Sequence, residues 1–142
     1  MKLFKIVFLL SLLTNLNLAF AHGEDKPGPN SGYIRMPGAY HTEIIQDGKS
    51  ALKVYILDLQ FKNPSTDQNK LEISHSSKVK ATCEPKDNYY QCTFPETVDL
   101  SKKGNLTVAS QRKDQVGMVV SYPLPLKFEK PKNTEKAHGA HH

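Results

Sequence analysis

Residues 78–83 (KVKATC) and 90–94 (YQCTF) alternate polar and apolar side chains, and each carries one of the chain's two cysteines on its apolar side. That alternation is what an extended strand with one buried face produces, and a helix does not reproduce it. Val79, Ala81 and Cys83 share one face of the first arm, and Tyr90, Cys92 and Phe94 share one face of the second, across a turn at residues 84–88. Paired as a hairpin, the arms carry Cys83 and Cys92 to the same inward face, where a disulfide bond fits strand geometry. In the chain-entropy model, closing a loop of about ten residues contributes about 2–3 kcal/mol. There is no C-x-x-C, and no histidine lies near either cysteine in sequence, so a structural disulfide is preferred to zinc or thioredoxin-like chemistry.

The remainder of the chain repeats the theme. Residues 41–46 end at Asp47-Gly48, and residues 51–59 follow with Val54, Tyr55, Ile56 and Leu57, so a hairpin over this turn is predicted. Leu52, Val54 and Ile56 point one way and Tyr55, Leu57 and Leu59 the other. Apolar on both faces, this strand belongs in the middle of a sheet. Short strands are also expected at residues 33–36, 71–74, 106–112 and 117–122, with Pro123 and Pro125 ending regular pairing. The Asn/Ser/Thr/Asp-rich residues 62–70 read as a loop, and residues 95–104 as a second connection in which Val98 and Leu100 cover an edge of the core. About seven short strands with no helical period predict an all-β fold, an antiparallel immunoglobulin-like β-sandwich with one hairpin disulfide.

Residues 1–21 combine Lys2 and Lys5 with an apolar run and an Ala-Phe-Ala ending, which is the pattern of a secretory signal with a small-residue cleavage site. Polar interruptions make the run too short for the ~20 apolar residues of a membrane span. A periplasmic or secreted protein is expected, with no integral membrane segment after cleavage. The organisation then reads as signal (1–21), Gly/Pro-rich leader (22–32), sandwich (33–126) and a disordered, His-containing tail (127–142) that lacks aliphatic side chains larger than alanine. The formal net charge of +5 is mild and its lysines are scattered, so a nucleic-acid surface is not expected. Enzyme signatures such as G-x-S-x-G, H-E-x-x-H and a Walker loop are absent, and the chain reads as non-enzymatic.

The distinctive chemistry is in the histidines. Cleavage after Ala21 leaves His22 as the first residue, whose α-amine and imidazole chelate one metal ion as a pair. The amine, with a reference pKa near ~7.7–8.0, gives up its proton at low cost to a competing metal. Nitrogen donors of this kind suit copper(II), with zinc and nickel behind it. His41 is the partner candidate. Glu43, two residues further on and on the same strand face, serves as a ligand or as an acceptor that orients the histidine. His138, His141 and His142 form an auxiliary cluster on the tail. His75 reads as a solvated turn residue, and Met36 and Met118 as packing residues, although Met36 has the chemistry of a copper(I) ligand.

The run HGxxxPGPxxGYIRMPGAYHTE, followed by an aspartate-glycine turn and KVYILDLQF, resembles small exported bacterial immunoglobulin-like domains found near heavy-metal (copper) efflux and handling systems. The likeness spans roughly residues 28–58, with Ser31 where a second glycine is expected. It implies a sandwich fold and marks Gly32, His41, Glu43, Tyr55 and Asp58. Two functions follow as expectations. One is a copper-favoured metal carrier or buffer using His22, His41 and Glu43, and the other is an envelope protein-interaction module without metal.

Overall fold

The computed structural model describes residues 26–128. Its elements are all strands: β1 Tyr33–Gly38, β2 Tyr40–Gln46, β3 Ala51–Leu57, β4 Lys70–His75, β5 Thr82–Pro85, β6 Tyr90–Thr93, β7 Gly104–Arg112, β8 Gln115–Val116 and β9 Val120–Leu124. They form two antiparallel sheets. The first is five-stranded, in the order β1-β2-β3-β6-β5; in the four-stranded second, β7 pairs with β4 on one side and with β8 and β9 on the other. No helix among the described residues is long and apolar enough to cross a membrane.

One core lies between the sheets. Ile44, Leu52, Val54 and Ile56 from the first sheet meet Ile73, Leu106, Val108 and Val120 from the second, and all are buried. Two tyrosines tie the layers together. Tyr40 Oη donates to the Ser110 carbonyl at 2.8 Å, leaving the Ser110 hydroxyl to donate back to it. Tyr122 Oη donates to the Thr42 carbonyl at 3.0 Å and lies 2.6 Å from Thr42 Oγ1. Burial pushes both phenols above their ordinary pKa, so they stay neutral and serve as hydrogen-bonding cross-ties.

The hairpin over Asp47-Gly48 forms as expected, in register from Gln46↔Leu52 to His41↔Leu57, and β3 is central. The cysteine hairpin forms too. Cys83 pairs directly opposite Cys92 and the two are bonded, with Cys92 fully buried in the core. Val98 and Leu100 are buried on the connection after β6.

Other expectations are corrected. The alternating run at residues 78–83 is not one strand, because the Ala81 amide and Lys80 pair with β4 of the second sheet before β5 begins in the first. A tight turn with Lys78 at a φ of 64° first folds residues 79–81 back onto β4, and the chain then changes layers between Ala81 and Thr82, inside a continuous alternating pattern. The last strand starts later than expected and runs through Pro123, which pairs with Asn105. Proline is tolerated there because, among the described residues, no strand pairs with β9 on the side away from β7. Met36 and Met118 lie at the surface, 47% and 56% exposed, outside the core cluster.

Candidate functional site

Strand β2 is buried along both of its faces, which its sequence does not suggest. Tyr40, Thr42 and Ile44 point into the core, as their bonds and contacts with the second sheet show. His41 and Glu43 therefore lie together on the outer face of the first sheet, yet they are only 4% and 0% exposed. An outer face can be buried only if something roofs it. Two loops do so, one for each side chain.

The roof over Glu43 is the turn at residues 28–32. Ser31 donates to the Gly28 carbonyl and Gly28 to the Gly32 carbonyl, each at 2.9 Å, so the turn closes on itself. Glu43 Oε1 accepts the backbone amides of Asn30 and Gly32, both at 2.8 Å, and Oε2 accepts Asn30 Nδ2 at 3.0 Å. No cation among the described residues forms an ion pair with this carboxylate. Its buried oxygens are satisfied by N–H donors alone. The glycines are required by the closeness of the approach. A Cβ on Gly28 would come within 2.6 Å of Glu43 Cδ, and one on Gly32 within 2.8 Å of the Ile44 carbonyl oxygen. Ser31 sits at a φ of 63°, a left-handed conformation that explains why glycine suits this position.

The roof over His41 is the loop at residues 58–63, organised by Asp58. Asp58 Oδ1 accepts the amides of Gln60 and Lys62, and Oδ2 accepts Asn63 Nδ2. The Lys62 amide above all, with Asn63, Gln60 and the charge of Arg112, holds the Asp58 carboxyl below its ordinary pKa. The Asp58 carbonyl accepts the Phe61 amide at 3.1 Å and also lies 3.1 Å from His41 Nδ1. Phe61, at a φ of 60°, lays its ring on His41 with centroids 4.0 Å apart and planes inclined by 19°. A bulky residue in the left-handed region costs about 1 kcal/mol or more and persists only where its surroundings impose it.

This arrangement defines the chemistry of His41. A carbonyl only accepts, so Nδ1 carries the proton and Nε2 presents a lone pair. Nε2 has no hydrogen-bond partner among the described residues, while the side chain as a whole is 4% exposed. An imidazole with one nitrogen fixed on a carbonyl and the other open is the form in which histidine ligates metals.

The motif residues converge. Tyr55 stands opposite Glu43 across β2 and β3, so Gly32, His41, Glu43, Tyr55 and Asp58 all lie on or beside this one face. Phe128 stacks on Tyr33 with ring centroids 4.1 Å apart. His75 ends β4 in the other sheet, where its Nδ1 accepts the Ser77 amide. His22, His138, His141 and His142 lie outside the described residues, as do residues 1–21, expected from sequence to be a secretory signal. Among the described residues no group of three or more His, Cys, Asp or Glu side chains is placed to hold a metal ion. Phe61 and the Asp58 carbonyl are the parts that sequence reasoning missed. Asp58 and Asn63 flanking a short polar loop are a visible turn signal, but nothing in the sequence signals a left-handed phenylalanine. No family model matches the chain, and no curated protein or solved structure matches it.

Proposed function

We propose that this chain is a non-enzymatic extracytoplasmic copper carrier or buffer that takes the ion between the terminal His22 and His41 Nε2, with His138, His141 and His142 as auxiliary donors. The observation that carries the reading is the fixing of His41 Nδ1 on the Asp58 carbonyl beneath Phe61, which leaves Nε2 as the one nitrogen without a hydrogen-bond partner among the described residues. Glu43 then acts by holding the leader and not as a ligand, since its oxygens are committed to Asn30 and Gly32. That anchor matters for reach. The six residues from His22 to Pro27 span at most about 20 Å, which bounds the reach of a terminal histidine from the anchored Gly28. The disulfide and the signal-like residues 1–21 support an oxidising, extracytoplasmic setting.

Copper(II) titration of protein beginning at an authentic His22, beside a variant with one extra residue before it, tests the reading. Binding should weaken sharply in the extended variant and again in His41→Ala. Equal binding by native and extended termini, or none above a tail-deleted control, would sink it. The second reading, an envelope protein-interaction module without metal, is favoured by a different observation. Val116, Met118 and Val119 are exposed by more than half and lie next to β1, where the Met118 amide donates to the Pro37 carbonyl. It stands if the titration shows no copper.

A further inference from the structure

Met36 occupies an unusual place beside His41. In the β1–β2 ladder Arg35 pairs with Thr42 and Gly38 with Tyr40, so Met36 and Pro37 together oppose the single residue His41. This is a β-bulge, the device by which a strand re-aims a side chain next to a site. Ile34 shares the outer face with Glu43, since a Cβ on Gly28 would touch both side chains. Alternation from Ile34 then carries Met36 to that same outer face. The bulge puts Met36 beside His41 across the β1–β2 ladder, a neighbouring position that a side chain as long as methionine can reach.

Met36 is 47% exposed while its neighbours Ile34 and Pro37 are buried, so its sulfur is not committed to the core. Thioether sulfur is a soft donor that selects copper(I), and imidazole accepts copper in either oxidation state. We infer that Met36 Sδ and His41 Nε2 form a copper(I) site on the outer face of the first sheet. The inference rests on the copper reading above and deepens it. The terminal amine and imidazole of His22 suit copper(II), and the thioether beside His41 lets the same face hold the reduced ion. No electron transfer by the protein is involved, since the copper(I) is supplied as such.

The test uses the chain with its authentic His22 terminus and copper(I) maintained by ascorbate, with bicinchoninate as the competing chromophoric chelator. Met36→Leu keeps the size and apolar character of an exposed side chain, and its fold is checked by circular dichroism. It should weaken copper(I) binding by at least about 10-fold, the lower end of what losing even an outer partner of a metal site costs, while copper(II) binding is unchanged. Met118→Leu is the control, because that residue is also exposed, at 56% against 47%, but is not opposed to His41 in the β1–β2 register; it should match the unmodified protein. A silent Met36→Leu, or equal losses in both variants, overturns the pairing. If copper(II) still binds through His22 and His41 while Met36→Leu is silent, only this inference fails. If neither oxidation state binds, the carrier reading fails with it.

Discussion

Replacing Glu43 with alanine should detach the leader from the sandwich while leaving the two sheets intact. The magnitude follows from the bonds removed. The Gly32 amide is buried, and stranding one such donor costs about 1–3 kcal/mol. The Asn30 amide and side chain are only partly buried and regain water as the turn lifts, so their two bonds contribute about 0.5–1 kcal/mol each. Relaxation of the turn offsets part of the total, and a loss of about 2–4 kcal/mol is expected by denaturant unfolding. Native-state amide exchange gives the local readout: Asn30 and Gly32 should lose protection while the β2–β3 ladder keeps it. Glu43→Gln should behave differently, because its carbonyl oxygen can still accept both amides and the Asn30 amide group can turn its oxygen toward the new NH2. The pair of variants separates two roles for Glu43. An anchor predicts that Gln preserves copper binding and Ala weakens it, whereas a ligand predicts that both lose it. Unchanged protection of Asn30 and Gly32 in Glu43→Ala, or a stability change within the ~0.5 kcal/mol of an ordinary surface substitution, would refute the anchoring argument.

Two further outcomes are expected. Replacing Cys83 and Cys92 together with alanine should lower stability by about 2–3 kcal/mol, and the unmodified protein should show no thiol reactive toward a maleimide before reduction; two reactive thiols would contradict the bridge. Stability should also fall at alkaline pH. Tyr40, Tyr90 and above all Tyr122 have pKa values raised by burial, so once the pH passes the ordinary tyrosine value near ~10 the unfolded chain loses protons that the folded chain keeps. Their contribution is complete below that pH and is lost as the pH rises through the folded-state values. Tyr122→Phe, compared by denaturant midpoints between neutral pH and pH above ~10, should show a shallower alkaline loss; an identical slope would refute the assignment.

The parts of the fold that were legible in the sequence are those where one local pattern has one solution. Leu52, Val54 and Ile56 on one side, with Tyr55 and Leu57 on the other, leave a central strand as the economical place for β3, and it lies between β2 and β6. The cysteines were legible because a period of two fixes which face each occupies, and the β5–β6 register sets them opposite. The run from Lys78 to Cys83 was misread for the same reason. Alternation reports that a face is buried, not which sheet buries it, and here Ala81 bonds to Ile73 in one layer while Cys83 pairs in the other. Pro123 was misread because proline is forbidden by a neighbour on its amide side, and strand order, which decides that, is a long-range property.

The site follows the same division, and its illegible half is the more informative one. His41 and Glu43 were correctly placed on one face, since two residues apart on a strand admits nothing else. Their burial was not legible, because it is conferred by residues 28–32 and 58–63, loops whose compositions say only that they turn. Two polar side chains on an outer sheet face need no cover, yet the loops that cover them hold five strained or crowded positions: Ser31, Phe61 and Asn63 at positive φ, and Gly28 and Gly32 with no room for a Cβ. A fold that needed Glu43 only for solubility would leave it in water. One that needs the leader held at β2, and His41 held with a single open nitrogen, requires both roofs, and each is centred on a carboxylate-bearing residue, Glu43 for the first and Asp58 for the second.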